Sequence, residues 1–245
     1  MFALQGTCEE GSRVSDDIVV EMLSEGTAHL IPWRCLHGGP LTRETIERRE
    51  RDDPMPWADL RARNVPLLRK LTRTYGACAV VARDGERVVG TLRFYPKSVA
   101  PGPFCLQQLP PNGPGHDLAD AEFPPFTDLV DKTLCVHCLM TAARRAGLGT
   151  RMARELIAWA ARSGWEAVEA TAYEDLDIIY AITGSAGRSF WEKLGFRVIE
   201  SGVEPAFDEV DVEGFTARLH EEAAARGLAP DHAKSRYLMR LELQR

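Results

Sequence analysis

The sequence carries no surplus of positive charge: 30 basic residues stand against 36 acidic ones, a formal charge of −6 over 245 residues. That excludes the broad positive field by which proteins gather nucleic acid irrespective of sequence, so nucleic acid is not an expected partner. Long apolar runs are missing as well. Nothing approaches the ~18 consecutive apolar residues of a membrane span, and Glu9 and Glu10 fall where a secretory leader would need its apolar core. A soluble, cytoplasmic protein with no membrane partner is therefore expected. Cysteine is too sparse to frame the fold: Cys8, Cys35, Cys78, Cys105, Cys135 and Cys138 are six in 245 residues and are expected to stay reduced. No repeat argues for a solenoid or propeller. The Gly-Lys dipeptide that a Walker loop requires is absent.

What is present reads as a single domain over residues 1–245, built around a core at about 76–200. Residues 18–23, "IVVEML", are rich in β-branched side chains and predict a first strand. An N-terminal helical elaboration over 25–75 contains, from Leu41 to Tyr75, helices expected to be interrupted by Pro54, Pro56 and Pro66. Residues 76–96 hold two extended runs flanking Asp84-Gly85, which predicts a hairpin because Gly accepts positive φ. A Pro-rich insertion over 96–130 follows; the prolines between Pro96 and Pro125 predict a long loop without regular structure. Lys132 to Met140 is an apolar strand. Leu148, Met152 and Leu156 then recur every four residues, giving an amphipathic helix that ends at Gly164. Residues 165–172 form another strand, 186–196 a short helix closed by Gly195 and running into a strand through Ile199. In the C-terminal part, 205–245, Val212, Phe215 and Leu219 predict a helix and residues 236–243 a last strand. Alternation of this kind means α/β layering.

Between the apolar strand and its helix lies Arg144-Arg145-Ala146-Gly147-Leu148-Gly149. A strand turning at once into a helix leaves several backbone N–H groups without intrahelical partners, aimed out of the helix N-terminus, where they attract anions. Glycine at 147 and 149 removes Cβ atoms that would keep a diphosphate away, and Arg144 or Arg145 adds a planar fork of donors. A bare Gly-x-Gly serves a tightly packed helix start equally well. The dinucleotide fingerprint does not fit, because Met152 stands where its third small residue is needed. The pattern Arg144-x-x-Gly147-x-Gly149 after a strand, followed about 40 residues later by Phe190-Trp-Glu-Lys-Leu-Gly-Phe196, resembles the GNAT (Gcn5-related) N-acetyltransferase superfamily. The likeness runs from about Ala77 to Ile199.

The resemblance implies a mixed, mostly antiparallel twisted sheet, splayed at its central strands, with helices on both faces. It implies acetyl-CoA or another acyl-CoA as co-substrate, no metal, and a primary amine of a small molecule or peptide as acceptor; pairing into a homodimer is common among such proteins. Cofactor contacts are implied for Leu139, Met140, Thr141, Arg144, Arg145, Ala146, Gly147, Leu148, Gly149, Thr150, Ser189 and Trp191, with the N–H of Leu139 polarising the thioester carbonyl. Direct attack by an amine needs a base. Strand parity puts Asp131, Thr133, Cys135, His137 and Leu139 on one face, and His137 and Asp131 are the candidates, His137 for its intrinsic pKa. The family's frequent acid, a Tyr after Phe190, is here Trp191, whose indole cannot release a proton, and its frequent Asn is Gly184. Tyr173 or Tyr180 are the candidate substitutes; alternatively the thiolate, already weakly basic, needs no acid. Cys135-Val-His-Cys138 has zinc-knuckle spacing, but residues three apart on a strand face opposite ways and no second pair exists, so Cys135 is expected to face the channel as an inert liner or an occasional nucleophile. Glu122, Asp128, Asp131, Glu174, Asp175 and Asp177 would steer a cationic acceptor. A non-catalytic acyl-CoA-binding or regulatory domain, or an acyltransferase using acyl-carrier protein, are the alternatives.

Overall fold

The computed structural model describes residues 17–31, 57–99, 122–142, 147–183, 185–208 and 214–244. Seven strands, β1 (Val19–Met22), β2 (Ala79–Asp84), β3 (Arg87–Pro96), β4 (Thr133–Thr141), β5 (Ala167–Tyr173), β6 (Arg197–Val203) and β7 (Ser235–Glu242), form one sheet in the order β1-β2-β3-β4-β5-β7-β6. Among the described strands only β4 and β5 run parallel, joined through a crossover helix as such neighbours usually are. The fold is the mixed, mostly antiparallel α/β sheet that the resemblance implied.

The helices are α1 (Trp57–Tyr75), α2 (Leu148–Arg162), α3 (Asp177–Thr183), α4 (Arg188–Glu192), α5 (Phe215–Ala225) and α6 (Pro230–Ala233). The crossover helix α2 forms because Leu148, Met152, Ala153, Leu156 and Ala160 make one apolar stripe, all buried, and it stops where Gly164 takes φ +81°. Its stripe lies on the even-numbered residues of β3: Met152 touches Gly90, where an added Cβ would come within 2.9 Å of the methionine methyl, and Trp159 meets the ring of Phe94 at 5.3 Å. The core spans this helix and the sheet.

The structure corrects several expectations. Pro66 does not interrupt its helix, because α1 runs through it. The ring is exposed, so water can stand in for the missing N–H donor. Helical propensity on both sides then prevails. The hairpin turn is Gly85-Glu86 rather than Asp84-Gly85, with Gly85 at φ +58°. Helices α3 and α6 were not foreseen. Both are too short to show periodicity, and α3 is fixed from outside: the Ile178 N–H donates to Glu222 on α5 at 3.0 Å. Leu176, Ile178, Ile179, Phe207, Phe215, Leu219, Ala223 and Ala233 form a second apolar cluster separate from the main core. Of the Pro-rich insertion, residues 100–121 lie outside the described residues, and so do the helical expectations over 41–56. The insertion's described end makes a short 3-10 turn, Phe126–Asp128, whose Phe126 ring meets Trp165 at 4.9 Å.

Candidate active site

Strands β4 and β5 pair over only four positions, Thr133 with Ala167 through Val136 with Ala170. Beyond them β4 continues to Thr141 with β3, and β5 to Tyr173 with β7, so the two diverge and open a cleft through the sheet. The backbone at the lip of β4 can be read from one bond. Ala142 N–H donates to Val89 O at 2.8 Å, which makes that pair the closely bonded one. In an antiparallel ladder such pairs alternate, so Leu92 and Leu139 are a non-bonded pair and the Leu139 N–H turns away from β3 toward the cleft.

Two cavities meet here. One, of about 470 Å³, is lined by Leu139, Thr141, Gly147, Leu148, Gly149 and Thr150 on one side and by Asp175, Tyr180, Ser189 and Phe190 on the other. Gly147, the residue before α2, has φ +76° and no side chain caps the helix, while the first intrahelical bond is Arg151 N–H to Gly147 O at 3.1 Å. The N–H groups of Leu148, Gly149 and Thr150 therefore point, uncapped, at that cavity, with the positive end of the helix dipole behind them. Ser189 donates from Oγ and N to Asp175 at 2.8 and 3.1 Å, which fixes the start of α4 against the cleft. Only glycine fits beside it, since a Cβ on Gly187 would lie 2.2 Å from Asp175 Oδ1.

The other cavity, about 410 Å³, shares Leu139, Ser185 and Ala186 with the first. It is lined by Cys135, His137 and Cys138 of β4, Glu169, Thr171 and Tyr173 of β5, Glu200 and Gly202 of β6, and by Lys97, Trp191, Glu204 and Arg236. Two bulges aim these side chains. In β4, Arg93 pairs with Cys138 and Phe94 with Val136, so His137 is the extra residue; in β6 the register skips Ile199. The parity expected from sequence breaks at His137. Cys135 lies opposite Tyr95 and Cys138 opposite Arg93, two residues apart on the same face of β3, so both cysteines face one way rather than opposite ways. By the same shift Leu139 leaves their face and packs on the helix side.

Charge is managed unevenly. Glu169, 2% exposed, lies 2.7 Å from Arg240 Nη1 and 3.0 Å from Lys97 Nζ. Glu204 accepts from the Tyr173 hydroxyl at 3.4 Å and lies 3.7 Å from Arg236. Burial, then the charge of Glu204, pushes Tyr173 up to about 12, so it remains a hydrogen-bond donor at neutral pH. Burial and next Glu169 push Cys135 up to about 12 as well, leaving an unreactive thiol. His137, packed on Tyr95 at 4.8 Å, is pushed down to about 4 by burial and then by the charge of Arg93. That corrects the premise for His137 as a base: its intrinsic value does not survive burial.

Of the remaining expected residues, Asp131 is exposed ahead of β4 and lines neither cavity. Tyr180 lines the first cavity and Tyr173 the second, so the two are not interchangeable. Met140 is buried, and Trp191 packs between Phe190 and Phe196 at 4.9 Å from each. Arg144, Arg145, Ala146 and Gly184 lie outside the described residues. Lys97, Glu169, Glu200, Glu204 and Arg236 were missed. They come from just past the end of β3, from β5, from β6 and just after it, and from β7, and share no motif or spacing that a reading along the chain could have used. Among the described residues no group of three or more His, Cys, Asp or Glu is placed to hold a metal ion, and no helix is long and apolar enough to cross a membrane.

A sheet split between its parallel strands over an uncapped helix start is the arrangement that the resemblance implied. Solved structures similar in fold include a GNAT family acetyltransferase from Streptococcus pneumoniae, 12% identical with a TM-score of 0.47, covering 93% of this chain and 99% of that one. A GNAT family acetyltransferase from Elizabethkingia anophelis, solved with acetyl-CoA bound, is 13% identical with a TM-score of 0.44, covering 94% and 100%. The ribosomal-protein-S18-alanine N-acetyltransferase from Escherichia coli is 10% identical with a TM-score of 0.43, covering 93% and 95%. No protein-family model matches the sequence, and no curated protein matches it.

Proposed function

We propose that this chain is an N-acyltransferase that moves an acetyl or other short acyl group from acyl-CoA to a primary amine. The observation that carries the reading is the junction of the two cavities at Leu139, with the uncapped start of α2 on one side and a charged pocket on the other. The N–H groups of 148–150 suit a diphosphate, and their glycine-lined approach suits the close contact it needs. The Leu139 N–H suits a carbonyl oxygen gaining charge. The thioester supplies the activated acyl group. In the transfer, the amine nitrogen bonds to the carbonyl carbon, the C–S bond breaks with its electron pair going to sulfur, and the nitrogen gives up a proton. Glu204 is the carboxylate placed to receive it, directly or through water, with Tyr173 hydrogen-bonded to it.

Calorimetry with acetyl-CoA, and thiol release with primary amines, test this reading. Binding and turnover in the parent protein, with kcat reduced about a hundredfold in Glu204→Gln at unchanged acetyl-CoA affinity, are expected. Binding without turnover on any amine would instead favour a non-catalytic acyl-CoA sensor.

A further inference from the structure

The charges of the second cavity pair off one by one. Arg240 Nη1 and Lys97 Nζ meet Glu169 at 2.7 and 3.0 Å, and Arg240 Nε meets Glu242 at 2.6 Å. Glu204 lies 3.7 Å from Arg236. These three cations and three carboxylates cancel. Glu200, which lines the cavity from β6, forms no ion pair among the described residues, so the charge left over is its own. Arg197, further back on β6, lies at the Arg240 level and does not line the cavity.

The sheet register fixes where that charge stands. Leu238 of β7 lies opposite Thr171 on one side and Glu200 on the other, whereas Arg236 lies opposite Tyr173 and Gly202. Glu200 is therefore one level, about 7 Å along the strands, from the Tyr173 level. At the Tyr173 level the two cavities join, because Tyr173 bridges to Gly187 beside the Ser185 and Ala186 that line both. One level beyond Glu200 stands Glu169 with its partner Lys97, so a cation bounds the cavity on that side. The bulge at Ile199 is what turns Glu200 to the face shared with Thr171 and Tyr173.

Resting on the acyl-transfer reading, we infer that the acceptor is a short diamine, or an equivalent amine with a second cationic group. One nitrogen reacts at the Tyr173 level, and the other, still an ammonium, pairs with Glu200. Thr171 and Leu238 offer a neutral wall suited to the methylenes between them. A plain alkylamine would leave Glu200 unpaired, and an ω-amino carboxylate would set like charges together. A longer polyamine would carry a further ammonium toward Lys97.

The test is a comparison of kcat/KM for linear diamines, from diaminoethane to diaminooctane, with alkylamines and ω-amino carboxylates of matching length. Diaminobutane and diaminopentane, which match the step between the two levels, are expected to lead their alkylamines by about tenfold, mostly in KM, a ratio suited to one hydrogen bond to a charged group. Diaminoethane, too short to span the step, gains no such lead. In Glu200→Gln the ratio falls toward one. Equal or better use of alkylamines or ω-amino carboxylates by the parent protein overturns this inference and leaves acyl transfer standing. So does a ratio unchanged in Glu200→Gln. No turnover with any amine, despite acetyl-CoA binding, overturns the acyl-transfer reading and this inference with it.

Discussion

At the scale of single residues, environment outweighs identity. His137 has the side chain best suited to proton transfer near neutrality, yet its burial and the neighbouring Arg93 charge take it from 6.5 to about 4. The unfolded chain therefore binds a proton there between those values while the folded one does not. Stability falls as pH drops below 6.5 and the loss levels off near 4. The contribution is roughly 3 kcal/mol in all. Urea unfolding across that range should show His137→Phe losing less stability on acidification than the parent; parallel pH profiles would sink the assignment. Glu204 shows the converse, a residue in no motif that gains its place only by folding against Tyr173.

At the scale of elements, the decisive features are ends and irregularities rather than regular spans. Helix α2 presents its first N–H groups because Gly147 turns the chain at φ +76°, a conformation that costs other L-residues about 1–2 kcal/mol. Gly147→Ala is expected to lower both thermal stability and acetyl-CoA affinity, the latter by about tenfold as the amides tilt. A variant with parental affinity by calorimetry would mean that these amides do not hold the diphosphate. The bulges at His137 and Ile199 act similarly, each reversing the parity of everything beyond it. Without them Cys138 and Glu200 would face the other side of the sheet.

At the scale of the whole molecule, two apolar clusters divide the labour. The main core holds the sheet and α2, while the smaller cluster joins α3, α5 and α6 and so positions Asp177 and Tyr180 along the first cavity. Leu219, fully buried in the smaller cluster, tests the division. Leu219→Ala should cost about 2–5 kcal/mol locally. Hydrogen exchange should accelerate at α3, including the Ile178 amide held by Glu222, with little change in β2 to β4. Uniform loss of protection would show one cooperative unit instead.

Local signals along the chain are enough for the strands of the core, the amphipathic α2, the glycine turn before it and the short α4. Each rests on local periodicity or on backbone freedom at one residue, and such signals need no knowledge of distant neighbours. Tertiary structure alone decided which way β4 faces beyond His137, the low proton affinity of that histidine, the continuity of α1 through Pro66 and the existence of α3. It also decided the meeting of Lys97, Glu169 and Arg240 from three strands or strand ends. The physical reason is common to all of these: a bulge, a burial cost and a charge pair are set by what lies across the sheet, and cross-strand partners leave no spacing along the chain.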